Sequence, residues 1–294
     1  MKNHYAVKNH YAVLLLLVFV LLWGCKPKPL KDITTIRFCT ELYSDSVNAN
    51  SEEKATALKK YLWWHSANFP VSISVRFMGG TAFQHRMVMR FARRWTEVSK
   101  GKVNFFFDRY DGTTNRPDLR VSFDTTKGSN SYIGSDALNV PKNKATMNFG
   151  WIPLQGGAGV DTIVIQEVVL HEFGHAIGLV HEHQSPGANI PWDTTALYEY
   201  YERTQDPPWT EEQVNSNILQ RYAERDVDYN RYDVLSIMHY SIDNDLTIGD
   251  FETGWNTVLS VKDSMLVNRL YPYHPCVVNV DCCYDRAGRR VPCP

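Results

Sequence analysis

Residues 167–184 read EVVLHEFGHAIGLVHEHQ, with histidines at 171, 175 and 181 and a glutamate at 172. On an α-helix, residues four apart stand one above the other, so His171 and His175 can aim their imidazoles at one point. Glu172 is one residue round, close enough to act on a water held there without being a ligand itself. Gly178 can take a positive φ and end the helix, which turns the chain so that His181 swings back as a third ligand. Three neutral imidazoles around a zinc ion leave one position open for water, the mark of a catalytic rather than a closed structural site. Zinc lowers the pKa of such a water towards about 7, and Glu172 takes its proton. The expected cofactor is therefore one Zn2+ per chain. His65 and His85 stand alone and are read as surface or satisfied residues.

These residues need a frame, and the flanking sequence predicts an α+β one. Asp161 and Thr162 can cap a long helix through the histidine motif. Upstream, Phe83, Met87, Val88, Phe91, Ala92, Trp95 and Val98 recur every three or four residues and predict an amphipathic helix. Val71 to Phe77 alternates apolar and polar side chains as a strand does, and Val103–Phe107 and Leu119–Phe123 are further strands with a turn at Asp111-Gly112. Ser129 to Asn148 holds two short segments expected to return along the sheet edge. Ser51 to Tyr61 reads as a short helix. Beyond the motif the chain is tyrosine-rich and loop-rich. A helix is expected there from the Thr210-x-x-Gln213 capping box to about Tyr222, and a last one from Ser260 to Tyr271-Pro272.

The chain of 294 residues carries 31 Lys+Arg against 32 Asp+Glu, so charge gives no reason to expect a nucleic-acid partner. Lys2 and Lys8 precede an apolar run, Tyr11 to Trp23, too short to cross a bilayer as a helix. A basic start, a short apolar middle and Gly24-Cys25 predict an export signal over residues 1–24. Leu22-Trp23-Gly24-Cys25 resembles the lipobox of bacterial lipoproteins, which implies lipidation of Cys25. The expected location is then the outer membrane or cell surface, with plain secretion as the alternative. Residues 25–70 read as a linker and possible pro-segment, 71–273 as the catalytic domain and 274–294 as a short cysteine-rich tail. Cys276, Cys282, Cys283 and Cys293 all fall in that tail, and no cysteine lies between 40 and 275. The central domain must stand without disulfides.

From His171 to Glu182 the chain resembles the astacin family of metzincin zinc endopeptidases, and the resemblance runs from about Val71 to Pro272. It implies that His171, His175 and His181 are zinc ligands and that Glu172 is the general base. Glu182 then matches the acidic residue that meets the mature amino terminus. Ser236-Ile237-Met238-His239-Tyr240 is similar to the family's Met-turn, which implies Met238 as an apolar floor under the metal and Tyr240 as the tyrosine that steadies the oxyanion. Ser131-Tyr132-Ile133-Gly134 resembles a further family stretch. The implied fold is the metzincin one: a twisted mixed sheet, a long active-site helix and a loop-rich lower lobe. The implied activity is hydrolysis of internal peptide bonds in polypeptide substrates by a monomer, with the peptide antiparallel to a sheet edge at Ala145 to Phe149. Leu179 and His183 depart from the family pattern outside the metal set. Cys39 precedes the catalytic body, and its thiolate is a soft ligand able to latch the zinc; burial, or a bond to a tail cysteine, is the other reading. A non-catalytic alternative is a zinc-containing surface protein or a carbohydrate-binding module, with Trp192, Tyr198, Tyr200, Tyr201 and Trp209 lining a shallow site.

Overall fold

The computed structural model describes residues 40–44, 59–64, 69–107, 117–224, 227–228 and 231–272. The signal, Cys25, Cys39, His65, the Asp111-Gly112 turn, the tail cysteines and all of the expected helix at 51–61 except Lys59 to Tyr61 lie outside them. Among the described residues no helix is long and apolar enough to cross a membrane.

Six strands form one mixed sheet: β1 (Thr40–Leu42), β2 (Val71–Phe77), β3 (Val103–Phe107), β4 (Leu119–Ser122), β5 (Ser129–Tyr132) and β6 (Met147–Phe149). Their order is β1-β5-β6-β4-β2-β3. Every neighbouring pair is parallel except β5 with β6. In β2, Val71, Ile73 and Val75 are buried, as its alternating pattern demands.

Against the sheet lie helices α1 (Ala82–Val98) and α2 (Thr162–Ala176). Thr81 and Gln84 close a capping box at the start of α1, and the stripe Val88, Phe91, Ala92 and Trp95 is buried. The fully buried Trp95 donates its indole N–H to the carbonyl of Leu170 at 2.9 Å and so fastens α1 to α2. Asp161 caps α2 by accepting from the Ile163 N–H. The last helix, α5 (Val261–Leu270), begins with a Ser260/Asp263 capping box and stops before Tyr271-Pro272.

The structure departs from the sequence reading in three places. Ala145 to Phe149 is no sheet edge, because β6 pairs with β4 on one side and β5 on the other. Its backbone groups are already bonded, and the outer flank of β5 carries β1. The helix expected to reach Tyr222 is α-helical only over α4 (Glu211–Val214) and continues as one π turn, Asn215–Leu219. There the side chains of Ser216 and Asn217 both bond the Gln213 carbonyl, in competition with regular helix bonding. Conversely, α3 (Thr194–Thr204) forms in the stretch read as loop, capped by Asp193 and burying Leu197, Tyr200 and Tyr201. The aromatic residues offered as a shallow binding site are thus partly core; Tyr201 stacks on Trp209 with centroids 4.9 Å apart.

Residues 59–64, within the stretch read as linker and possible pro-segment, pack onto the body. Trp63 is 7% exposed and belongs to the main core. Its indole donates to the Ala176 carbonyl at 2.7 Å, while the Tyr61 carbonyl accepts from Ser135 N–H at 2.8 Å. If this packing holds the body together, Trp63→Ala removes a large buried side chain and costs about 3–5 kcal/mol in denaturant unfolding. A linker residue would stay within about 0.5 kcal/mol of wild type.

Candidate metal centre

Helix α2 is buried on all sides over its second half, from Val168 to Ala176. Its rotation is set by Phe173, which meets Phe105 edge-on at 4.8 Å and stacks with Phe149 at 6.3 Å on the sheet. At about 100° per residue, this places His171 and His175 across the helix axis from Phe173. Gly174 fits because a Cβ there would overlap the sulfur of Met238 and press on Trp95. The methionine therefore sits directly against the helix that carries the histidines.

After α2 the chain turns at Gly178, where φ is +91°. The turn places His181 beside the helix. One ligand nitrogen from each of His171, His175 and His181 lies within 4.8 Å of the others, and all three residues are buried. His175 Nε2 and His181 Nε2 are 3.2 Å apart. Two nitrogens each about 2.0–2.1 Å from a tetrahedral zinc stand at nearly that separation.

Backbone acceptors decide which nitrogen faces inward. Nδ1 of His175 is 2.9 Å from the Leu179 carbonyl, and Nδ1 of His171 is 2.8 Å from the Ile237 carbonyl. A carbonyl can only accept, so each Nδ1 carries the proton and each Nε2 keeps a lone pair. His171 Nε2 is buried and has no hydrogen-bond partner. Burial, followed by the neighbouring His175, pushes the His171 pKa down to about 3, which keeps it in the neutral form a metal requires. A buried lone pair aimed at two other imidazoles fits a metal ion and fits little else. The described residues contain no second group of this kind.

The acceptor for His171 is itself held from far along the chain. Asp263 on α5 takes the Ser236 hydroxyl at 2.6 Å and the Ile237 N–H at 2.9 Å. Ser236 Oγ in turn accepts from Met238 N–H at 3.1 Å. Asp263 thus fixes the turn that presents the Ile237 carbonyl to the histidine. The end of α2 is clamped similarly, by the Trp63 bond to Ala176 and by the Tyr271 hydroxyl, which donates to the Ile177 carbonyl at 2.8 Å.

Glu172 is 1% exposed and lies on the same helical turn as His171. The Tyr240 ring stands 4.3 Å from that of His181 and stacks on His183 at 4.4 Å. The next residue back, His239, is locked by the Tyr240 carbonyl at 2.6 Å on Nδ1 and the Tyr232 hydroxyl at 2.7 Å on Nε2. Glu182 accepts from Asp233 N–H at 2.9 Å, and burial raises its pKa to about 8.

With this geometry in view, two solved structures of myroilysin are similar to the chain. One is 36% identical with a TM-score of 0.64, covering 73% of this chain and 97% of that one. The other is 33% identical with a TM-score of 0.55, covering 81% and 92%. The chain belongs to the myroilysin family. No protein-family model and no curated protein matches it. Kinship with myroilysin, a protease, and the three convergent histidines support a zinc peptidase in general.

The structure brings together the motif's His171, Glu172, His175 and His181 with Met238 and Tyr240 from the turn some sixty residues on, and sets Glu182 behind them. Sequence reasoning missed Asp263, Trp63 and Gly174 as parts of the site. Ser260-x-x-Asp263 was legible only as a helix cap, and its second role depends on which turn packs over it. Asp263→Ala should weaken metal binding about 10–100-fold in chelator competition, because the Ile237 acceptor is no longer held in place. Unchanged affinity would show that Asp263 serves the helix cap alone.

Proposed function

We propose that the chain is a zinc-dependent endopeptidase of the astacin-like type, hydrolysing internal peptide bonds of polypeptides. The observation that carries this reading is the set of three inward-facing imidazole nitrogens with Glu172 buried beside them. His171, His175 and His181 would hold the ion. When bound, zinc supplies Lewis acidity towards the scissile carbonyl and the attacking water. Glu172 acts as general base, taking the water's proton and later delivering it to the leaving amine. Tyr240, packed against both His181 and His183, offers its phenolic O–H to the carbonyl oxygen as negative charge builds there.

An extended substrate would pair antiparallel with a free strand flank, which selects unfolded or flexible segments. The flank of β5 is the candidate, and β1 lies along it in parallel register, Glu41 opposite Ser131. On this reading the amino-terminal segment is a pro-segment that must leave the flank before substrate enters. Cys39, the residue before β1, would serve as the zinc latch, and Glu182 would receive the new amino terminus after processing. Cys25 would carry the lipid that tethers an exported, monomeric enzyme to the membrane surface.

The test is hydrolysis of a denatured protein by the processed, zinc-loaded chain. Activity should vanish on chelation and return with zinc. Glu172→Gln should retain the metal and lose about 10²–10⁴-fold in kcat. Tyr240→Phe should lose about 10²–10³-fold with KM little changed. Undiminished cleavage by Glu172→Gln, or retention of intact protein without cleavage by wild type, would refute the assignment.

A further inference from the structure

The π turn at Asn215–Leu219 turns carbonyls towards the residues that follow His181. The Gln184 amide donates to the carbonyls of Ser216 at 3.0 Å and Gln220 at 2.9 Å. His183 Nε2 lies 3.1 Å from the Asn217 carbonyl, and since a carbonyl only accepts, this nitrogen carries the proton. Interruptions of this kind in a helix recur at functional sites. Here the interruption anchors an imidazole that is 1% exposed and lies against Tyr240. The two rings stack with centroids 4.4 Å apart and planes 26° from parallel, and the same imidazole stacks on His181 at 5.3 Å. The backbone of Tyr240 is pinned separately, its carbonyl accepting from Thr253 Oγ1 at 2.9 Å and from His239 Nδ1 at 2.6 Å. With that end fixed, the direction of the phenol depends on rotation about its side-chain bonds, and the surface it rests on selects the rotamer. We infer that His183 is a positioning residue for Tyr240: its imidazole, set at one angle by the Asn217 carbonyl, is the shelf that keeps the phenol ring beside His181.

The inference rests on the role given to Tyr240 in the peptidase reading above and adds what holds that side chain in place. Core packing alone does not account for an imidazole at 183. Its Nδ1 is buried and has no hydrogen-bond partner, a defect that a core formed for stability alone avoids. Leucine would fill the space without a stranded nitrogen, but it offers no flat face to the phenol. Phenylalanine would offer the face and no donor to the Asn217 carbonyl. Imidazole supplies both, and so couples the π turn to the Tyr240 ring.

The experiment compares His183→Leu, His183→Gln and His183→Phe with wild type, as processed, zinc-loaded chains. The leucine and glutamine variants should lose about tenfold or more in kcat with KM little changed, since a small misplacement of a reacting group costs up to about 10²-fold. The phenylalanine variant, which restores a ring, should recover part of that loss. In a Tyr240→Phe background the same substitutions should lower kcat no further, because the hydroxyl they position is gone. Metal affinity in chelator competition should stay near wild type, which separates an effect on Tyr240 from one on His181. A second readout needs neither substrate nor zinc: the fluorine resonance of Tyr240 in chains labelled with 3-fluorotyrosine, identified by its absence in Tyr240→Phe. It should shift in the leucine and glutamine variants and lie nearer its wild-type place in the phenylalanine one. Unchanged kcat and resonance in His183→Leu, or an equal loss of kcat with and without the Tyr240 hydroxyl, overturns the positioning role and leaves the peptidase reading standing. Full activity in Tyr240→Phe overturns the role of Tyr240 and that of His183 with it. No cleavage by zinc-loaded wild type overturns the peptidase reading itself.

Discussion

Two backbone carbonyls, those of Leu179 and Ile237, govern the metal centre. Each accepts a hydrogen bond from the Nδ1–H of one histidine, which thereby turns its Nε2 lone pair towards the middle of a buried cluster. At His171, whose Nε2 is buried without a partner, the arrangement is unfavourable without an ion, since buried nitrogen acceptors normally have partners. Binding a cation relieves that conflict, and any ligand that binds only the folded chain stabilises it by mass action. A metal bound there would be coupled to the fold through these two hydrogen bonds.

Holding the two carbonyls still occupies much of the structure. The Leu179 carbonyl depends on the Gly178 turn, whose left-handed φ ends α2, and on the bonds from Trp63 and Tyr271 to the last carbonyls of that helix. The Ile237 carbonyl depends on Asp263, which holds the turn through Ser236 and the Ile237 N–H. Segments around residues 63, 178, 237, 263 and 271 therefore meet within one neighbourhood. Such convergence is what a rigid site requires, because a ligand displaced by a fraction of an ångström loses affinity or reactivity.

Much of the fold was legible from local pattern. The stripe in α1, the alternation in β2 and the caps at Asp161, Thr210 and Ser260 each declare themselves within a dozen residues. What escaped was non-local. The interior place of β6 follows from its partners β4 and β5, and no property of Met147–Phe149 announces it. The helix α3 did leave a signal, Asp193 followed by Leu197, Tyr200 and Tyr201, but tyrosines serve surfaces and cores alike, and packing chose the core.

By itself, the sequence determined the ligand set. Histidines at 171 and 175 on a helix and at 181 beyond a glycine can converge by geometry that is short-range and nearly independent of the rest of the fold. Only the tertiary structure decided which nitrogen of His171 and His175 faces the ion, where Tyr240 stands, and which rings it packs against. Those outcomes depend on carbonyls, rings and carboxylates brought from tens of residues away, and sequence spacing carries no record of a contact made across that distance.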